Sequence, residues 1–267
     1  MYKMNKTFRR EIANVSIWGT TYIHLRNPYI VALWSTTFPG YGHLLLHKYV
    51  RGFALIIWEV FINQSSHLNL AMVYSFMGEF ESAKEVLNVN YVFMYIPLYV
   101  FAIWDSYRTT VEMNNLYLLA EKEEPPVNAL TVKPFEVNYL DKRSPFVALF
   151  WSMTVPSVGQ LYLHQIISAF FTLIVTVIFV HNSHFVEGLH YLMLGDINKS
   201  TEVLDKQWLL YMPSLYFFNI FETYMNVVEN NKLFEVEQKM YLKRKYQSCD
   251  FKIKATRVKS NANLRNI

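Results

Sequence analysis

The sequence predicts an all-α, polytopic integral membrane protein built from two homologous helical hairpin repeats. Three observations predict it. Residues 27–116 align with 144–233 at a constant offset of 117 without a gap, with about 30% of paired positions identical, the mark of a tandem duplication. The hydrophobic fraction is 52%, with 20 Phe, 19 Tyr and 6 Trp, and only 17% of residues are charged, where a soluble domain averages about 25%. Finally, 161–180, LYLHQIISAFFTLIVTVIFV, contains no Asp, Glu, Lys or Arg and is long enough as a helix for a hydrocarbon core of about 30 Å.

The elements follow in order. Residues 1–26 form a basic arm carrying Lys3, Lys6, Arg9 and Arg10, and they lack the uninterrupted apolar core of a signal peptide. Each repeat opens with a short apolar helix, PYIVALWSTTFPG and PFVALFWSMTVPS, which reaches only about 16 Å before its proline. These are read as re-entrant or broken segments. The next helix crosses the bilayer, at 44–63 in the first repeat and 161–180 in the second. Polar stretches at 65–90 and 182–207 are read as two short helices separated by Gly78 or Gly195 and lying on the outer face. A second span returns at 91–104 and 208–221 and runs on as polar helix; Pro97 and Pro213 are expected to kink it. A linker, 117–143, with Glu121, Glu123, Glu124 and the Pro125-Pro126 pair, reads as an extended connection, and 234–267 form a basic tail.

This gives about four transmembrane helices plus two re-entrant or broken segments, with all Lys and Arg except Lys84, Lys199 and Lys206 on one side. The positive-inside rule then places both termini and the linker in the cytoplasm of a multi-pass inner-membrane protein. Three crossings per repeat, making six helices in an inverted repeat, are the alternative; that arrangement distributes the cations more evenly and is a transporter pattern. The expected partners are the lipid bilayer, anionic headgroups at the basic termini, and a membrane protein partner or a second copy; nucleic acid is not expected.

Pro39-Gly40-Tyr41-Gly42-His43 and Pro156-Ser157-Val158-Gly159-Gln160-Leu161-Tyr162 resemble the P-G-x-G-Q-x-Y-x-G turn of the bacterial two-transmembrane-helix hairpin domains, over about 35 residues per copy. The first copy has His43 and Leu45 for the glutamine and tyrosine, the second has Ser157 for the first glycine, and both put a histidine, His47 or His164, at the last glycine. The resemblance implies a membrane hairpin and no particular reaction.

The candidate functional residues are Pro39, Gly42, His47, Asp105, Pro156, Gly159, His164 and Glu222. The prolines and glycines are expected to shape the turns, a broken helix being also able to offer backbone dipoles to an ion. Histidines recur at 47/164 and 67/184, and interfacial hydrogen bonding is their expected use over metal or haem ligation. Asp105 and Glu222 end the second apolar run of each copy, where a water-facing acid at the membrane surface is expected, with ion handling as the functional reading. The lone Cys249 excludes an intrachain disulfide. No phosphate loop, zinc-binding H-E-x-x-H or nucleophile elbow occurs, so no catalytic residue, metal or cofactor is assigned. A noncatalytic membrane scaffold or assembly partner is the expected function; a transporter with its site between the repeats is the alternative.

Overall fold

A computed structural model describes residues 9–247 apart from Glu124 and Phe135. The chain is mostly helical, at 73%. It opens with an antiparallel hairpin, β1 (Ala13–Ser16) and β2 (Gly19–Tyr22), followed by α1 (Pro28–Thr37), α2 (Tyr41–Leu45), α3 (Tyr49–Ser66), α4 (Leu68–Phe76), α5 (Phe80–Val86) and the long α6 (Val89–Glu123). A second hairpin, β3 (Leu130–Lys133) and β4 (Glu136–Tyr139), leads into α7 (Pro145–Thr154), α8 (Val158–Tyr162), α9 (Ile166–Asn182), α10 (Phe185–Met193), α11 (Ile197–Val203), α12 (Lys206–Leu209) and α13 (Tyr211–Tyr246).

The 117-residue offset holds beyond the helices. It carries β1 onto β3 and β2 onto β4, so the duplicated unit begins within the N-terminal arm, and the connection between the repeats holds a hairpin where an extended chain is expected. The two hairpins also meet: Thr131 Oγ1 donates to the Val15 carbonyl at 2.6 Å and Asn138 Nδ2 to that of Ser16 at 2.8 Å. Lys3, Lys6, Cys249 and the basic tail beyond Gln247 lie outside the described residues.

Each repeat closes on itself at one end. Arg26 N donates to Asn114 Oδ1 at 3.0 Å while Asn114 Nδ2 donates to the Arg26 carbonyl at 2.8 Å; Arg143 and Asn231 repeat the exchange. At the far end Asn88 N bonds the Ser66 carbonyl at 3.0 Å, and Asp205 N that of Ser183 at 3.2 Å. From Asn88 to Asn114 the long helix covers about 39 Å.

Contacts along α6 trace the path between these ends. Tyr29 packs on Tyr107 and Tyr99 Oη donates to the Thr36 carbonyl, so α1 runs antiparallel to α6. At Pro39 the chain turns back through α2 as far as Ser106, and α3 then resumes the outward course from Arg51, beside Asp105. α4 and α5 turn at the far end, and α6 returns. A repeat therefore starts and finishes at the same end, and both repeats point the same way, since Asn69 near the far end of one bonds Gln207 near the far end of the other. The two repeats are therefore parallel, not inverted, relative to one another.

Two expected helices are corrected. The continuous helix over 161–180 is broken: α8 stops at Tyr162, His164 takes a left-handed backbone at φ 55, and α9 starts at Ile166. The Ile166 amide bonds the Trp18 carbonyl of the first hairpin, capping the new helix. His47, at φ 56, breaks 44–63 in the same way. Pro213 sits in the first turn of α13, and the run 208–221 is interrupted just ahead of it, at Leu210 between α12 and α13; Pro97 is interior to α6. Gly78 and Gly195 separate their helix pairs in left-handed conformation, at φ 82 and 81, as their sequence context predicts.

No single helix among the described residues is long and apolar enough to cross a membrane. Two bent pairs meet the requirement by length and composition: α5 with α6, bent by 88°, and α9 with α10, bent by 58°. The main core lies between the repeats, where Phe38, Tyr41 and Ile56 of the first pack on Phe179, Tyr211 and Phe218 of the second.

Candidate functional site

The turn after α1 brings the chemistry-bearing side chains to the long helix. Pro39 and Pro156 end the short helices, and both are buried. The residue after each takes the positive φ that the reversal needs, 105 at Gly40 and 98 at Ser157. Gly42 and Gly159 serve a different purpose from the conformational one expected of them. Both are helical; a Cβ on Gly42 would stand 2.6 Å from the Val31 carbonyl, and one on Gly159 would stand 2.8 Å from the Thr223 methyl. They let α2 and α8 press between the short helix and the long one.

That approach delivers residue 43 to residue 105 and residue 160 to residue 222. His43 Nε2 lies 2.9 Å from Asp105 Oδ2, and Arg51 Nη1 donates to the same oxygen at 2.6 Å. In the second repeat Gln160 Nε2 donates to Glu222 Oε2 at 2.5 Å. Ser168 stands where the first repeat has Arg51. Asp105 and Glu222 are thus not the water-facing acids their position suggests: both are buried, and both hold a turn helix to a long helix through a side-chain hydrogen bond. One clamp joins the His43 imidazole and the Arg51 guanidinium to one carboxylate, the other sets an amide on a carboxyl group.

His47 and His164 are brought to the hairpins. Tyr22 and His47 approach edge-on at 5.1 Å, and Tyr139 lies 6.3 Å from His164. His47 Nδ1 bonds Tyr49 Oη at 3.0 Å. His47, His164, His67 and His184 all occupy left-handed positions, φ 53 to 56, which few side chains other than Asn, Asp and His accept. The recurrence of histidine is therefore accounted for by backbone geometry at the helix breaks. Among the described residues no three His, Cys, Asp or Glu side chains gather as a metal site.

A polar seam, not foreseen from the sequence, joins the repeats near their closed ends. Tyr22 Oη donates to the Asn226 carbonyl at 3.3 Å, and Asn226 Nδ2 to Gln165 Oε1 at 3.0 Å. His24 stacks on Tyr22 at 5.1 Å, its Nε2 lies 4.0 Å from Glu229, and burial pushes its pKa down to about 2. Arg26 is half-buried in the same region, its Nη2 buried and lacking a hydrogen-bond partner. The signal that could have found the seam was available upstream of the recognised repeat, where Val15/Val132, Tyr22/Tyr139 and Arg26/Arg143 are identical at the same offset.

No protein-family model, curated protein or solved structure matches this chain. Of the eight sequence-derived candidates, each repeat assembles four around its own turn: Pro39, Gly42, His47 and Asp105, and Pro156, Gly159, His164 and Glu222. The hydrogen bonds to Asp105 and to Glu222 stay within their own repeats. Between the repeats, the space lined by Phe38, Tyr41, Phe171, Phe179 and Phe218 holds about 10 Å³, no more than a single water requires.

Proposed function

We propose that the protein is a noncatalytic, multi-pass membrane protein that acts as a scaffold or assembly partner, with both termini cytoplasmic. The observation that carries this reading is the use of the candidate groups. Asp105 and Glu222 are engaged within their own repeats, while large apolar side chains such as Phe93, Phe101, Trp104, Phe150, Phe170 and Ile174 face outward. An outward surface this apolar is normally covered by lipid or by another protein. The distance of about 39 Å between the closed and far ends of a repeat suits a bilayer core with its headgroup regions. Lys84, Lys199 and Lys206 belong to the far end, as positive-inside orientation requires of the outer side. The resemblance of the Pro-Gly turns to the two-transmembrane-helix hairpin domains agrees with this placement.

The transporter alternative puts a site between the repeats. The tight aromatic packing there speaks against it in this conformation; the buried Glu59, whose Oε2 has no hydrogen-bond partner, is the feature that favours it.

The test is thiol labelling in a Cys249→Ser background. Single cysteines at the exposed Asn128 and at Ser82 should be accessible from the cytoplasmic and outer sides respectively. Both sites on one side, or Asn128 outside, would overturn the placement. Ion or solute flux in proteoliposomes that is lost in Glu59→Gln would replace the scaffold with the transporter.

A further inference from the structure

The two repeats meet through different faces, and the unused half of each face remains on the surface. For a twofold contact, any pair i in the first repeat and j in the second would be matched by i + 117 and j − 117. Trp34 packs on Phe218 and Phe221, with ring centroids 5.4 and 5.0 Å apart. The matching residues are Trp151, Phe101 and Trp104, which remain 43%, 45% and 52% exposed. Phe38 meets Tyr211 at 5.9 Å, yet the matching Val155 and Met94 are also exposed. The contact is therefore head-to-tail: the α1–α3 side of the first repeat sits on the α9 and α13 side of the second.

We propose that a second copy of this chain covers these faces, the second repeat of one copy docking on the first repeat of the next and taking the part that the first repeat plays within one chain. The contact places Trp151 of one copy against Phe101 and Trp104 of the next. Three observations support this occupant over any other. The offset preserves large apolar side chains on both uncovered halves: Trp34, Phe38 and Val60 correspond to Trp151, Val155 and Val177, and Tyr211, Phe218 and Phe221 to Met94, Phe101 and Trp104. The intrachain core shows that these two kinds of surface pack together. Both repeats also point the same way, so a further copy added by the same step keeps that orientation, as one membrane or one ring requires.

The polar hook at the far end is not repeated. Gln207 Nε2 bonds the carbonyl and Oδ1 of Asn63, both at 3.0 Å, whereas their counterparts are Asn90 and Val180. The copy-to-copy contact thus rests on the apolar faces and is weaker than the intrachain one.

Two differently tagged full-length copies test this, both with Cys249→Ser, one carrying Trp151→Cys and the other Phe101→Cys. In membranes treated with a short bifunctional thiol reagent, co-expressed copies should cross-link to each other about tenfold more than either copy cross-links to itself, because a head-to-tail contact pairs unlike faces. One chain carrying both substitutions should give a ladder beyond the dimer. A Trp34→Cys, Phe218→Cys chain, which cross-links internally without gaining mass, controls for folding and reagent access. If that control closes while unlike copies do not join, lipid or solvent covers the faces and the proposal fails. It fails equally if Trp151→Cys copies join each other as readily, since that contact is twofold. Neither result depends on the membrane topology, which thiol accessibility reads separately.

Discussion

A methyl group on Gly42 would strike the Val31 carbonyl at 2.6 Å and the Ser35 hydroxyl, and one on Gly159 would meet the Ser152 hydroxyl and the Thr223 methyl. Backbone oxygens cannot step aside, so Gly42→Ala and Gly159→Ala should each lower stability by about 1–3 kcal/mol, read as a fall in the thermal midpoint. Ser157 predicts the opposite sign. It holds φ 98 with its hydroxyl buried and without a hydrogen bond, and Ser157→Gly relieves that strain, raising stability by about 1 kcal/mol. His24 gives a pH dependence. Burial, and then Arg26, His47 and Lys232, push its pKa down to about 2, against about 6.5 in the unfolded chain. Below pH 6.5 the unfolded state takes up a proton that the folded state refuses, so stability falls as pH drops, by up to about 1.4 kcal/mol per unit for one such group. The wild-type midpoint should fall between pH 7 and pH 5, and His24→Phe, which keeps the stacking on Tyr22, should lose part of that fall. An unchanged pH slope in the variant would refute the assignment.

At the scale of elements, the same turn is secured differently in the two repeats. α2 is tied to α6 by His43 and Asp105 with Arg51 joining, and α8 to α13 by Gln160 and Glu222. Asp105→Ala removes the acceptor shared by two donors and leaves the buried His43 facing an apolar side chain; a loss of about 1–3 kcal/mol is expected. His43→Gln copies the second repeat and should cost less than Asp105→Ala, as measured by chemical or thermal unfolding of the purified protein. Equal losses would mean that the histidine is needed for itself rather than as a donor. The positions of the short helices were legible in the sequence because Pro39 and Pro156 mark their ends and Gly78 and Gly195 separate the outer pairs. The breaks at His47 and His164 were not, because an apolar run gives no sign that one residue within it turns left-handed. The β-hairpins were hidden for another reason: only Val15, Tyr22 and Arg26 keep their identity across the offset, too few to register beside the strong helical match.

At the scale of the molecule, the repeats are joined by a core of Phe38, Tyr41, Ile56, Phe179, Tyr211 and Phe218 and by the hook of Gln207 on Asn63 and Asn69. Such an interface should hold without the covalent link. Fragments 1–127 and 128–267, expressed together, are expected to co-purify, and Phe218→Arg in the second fragment should abolish recovery of the first by placing an unpaired charge in the apolar contact. Recovery unaffected by that substitution would show that the hairpins, not the helical core, bind the halves.

The duplication, the predominance of helix, the apolar character and the proline-marked turns were determined by the sequence by itself, because each depends on local composition or on a repeat that a constant offset exposes. The tertiary structure alone decided which side chain meets each acid, that each repeat closes at one end with Arg26 on Asn114 and Arg143 on Asn231, and that the two repeats of the chain pack head-to-tail. The physical reason is that an offset relates equivalent residues, whereas the interface joins non-equivalent ones. Trp34 and Phe218 share no pattern along the chain, and only the packing of the folded repeats brings them together.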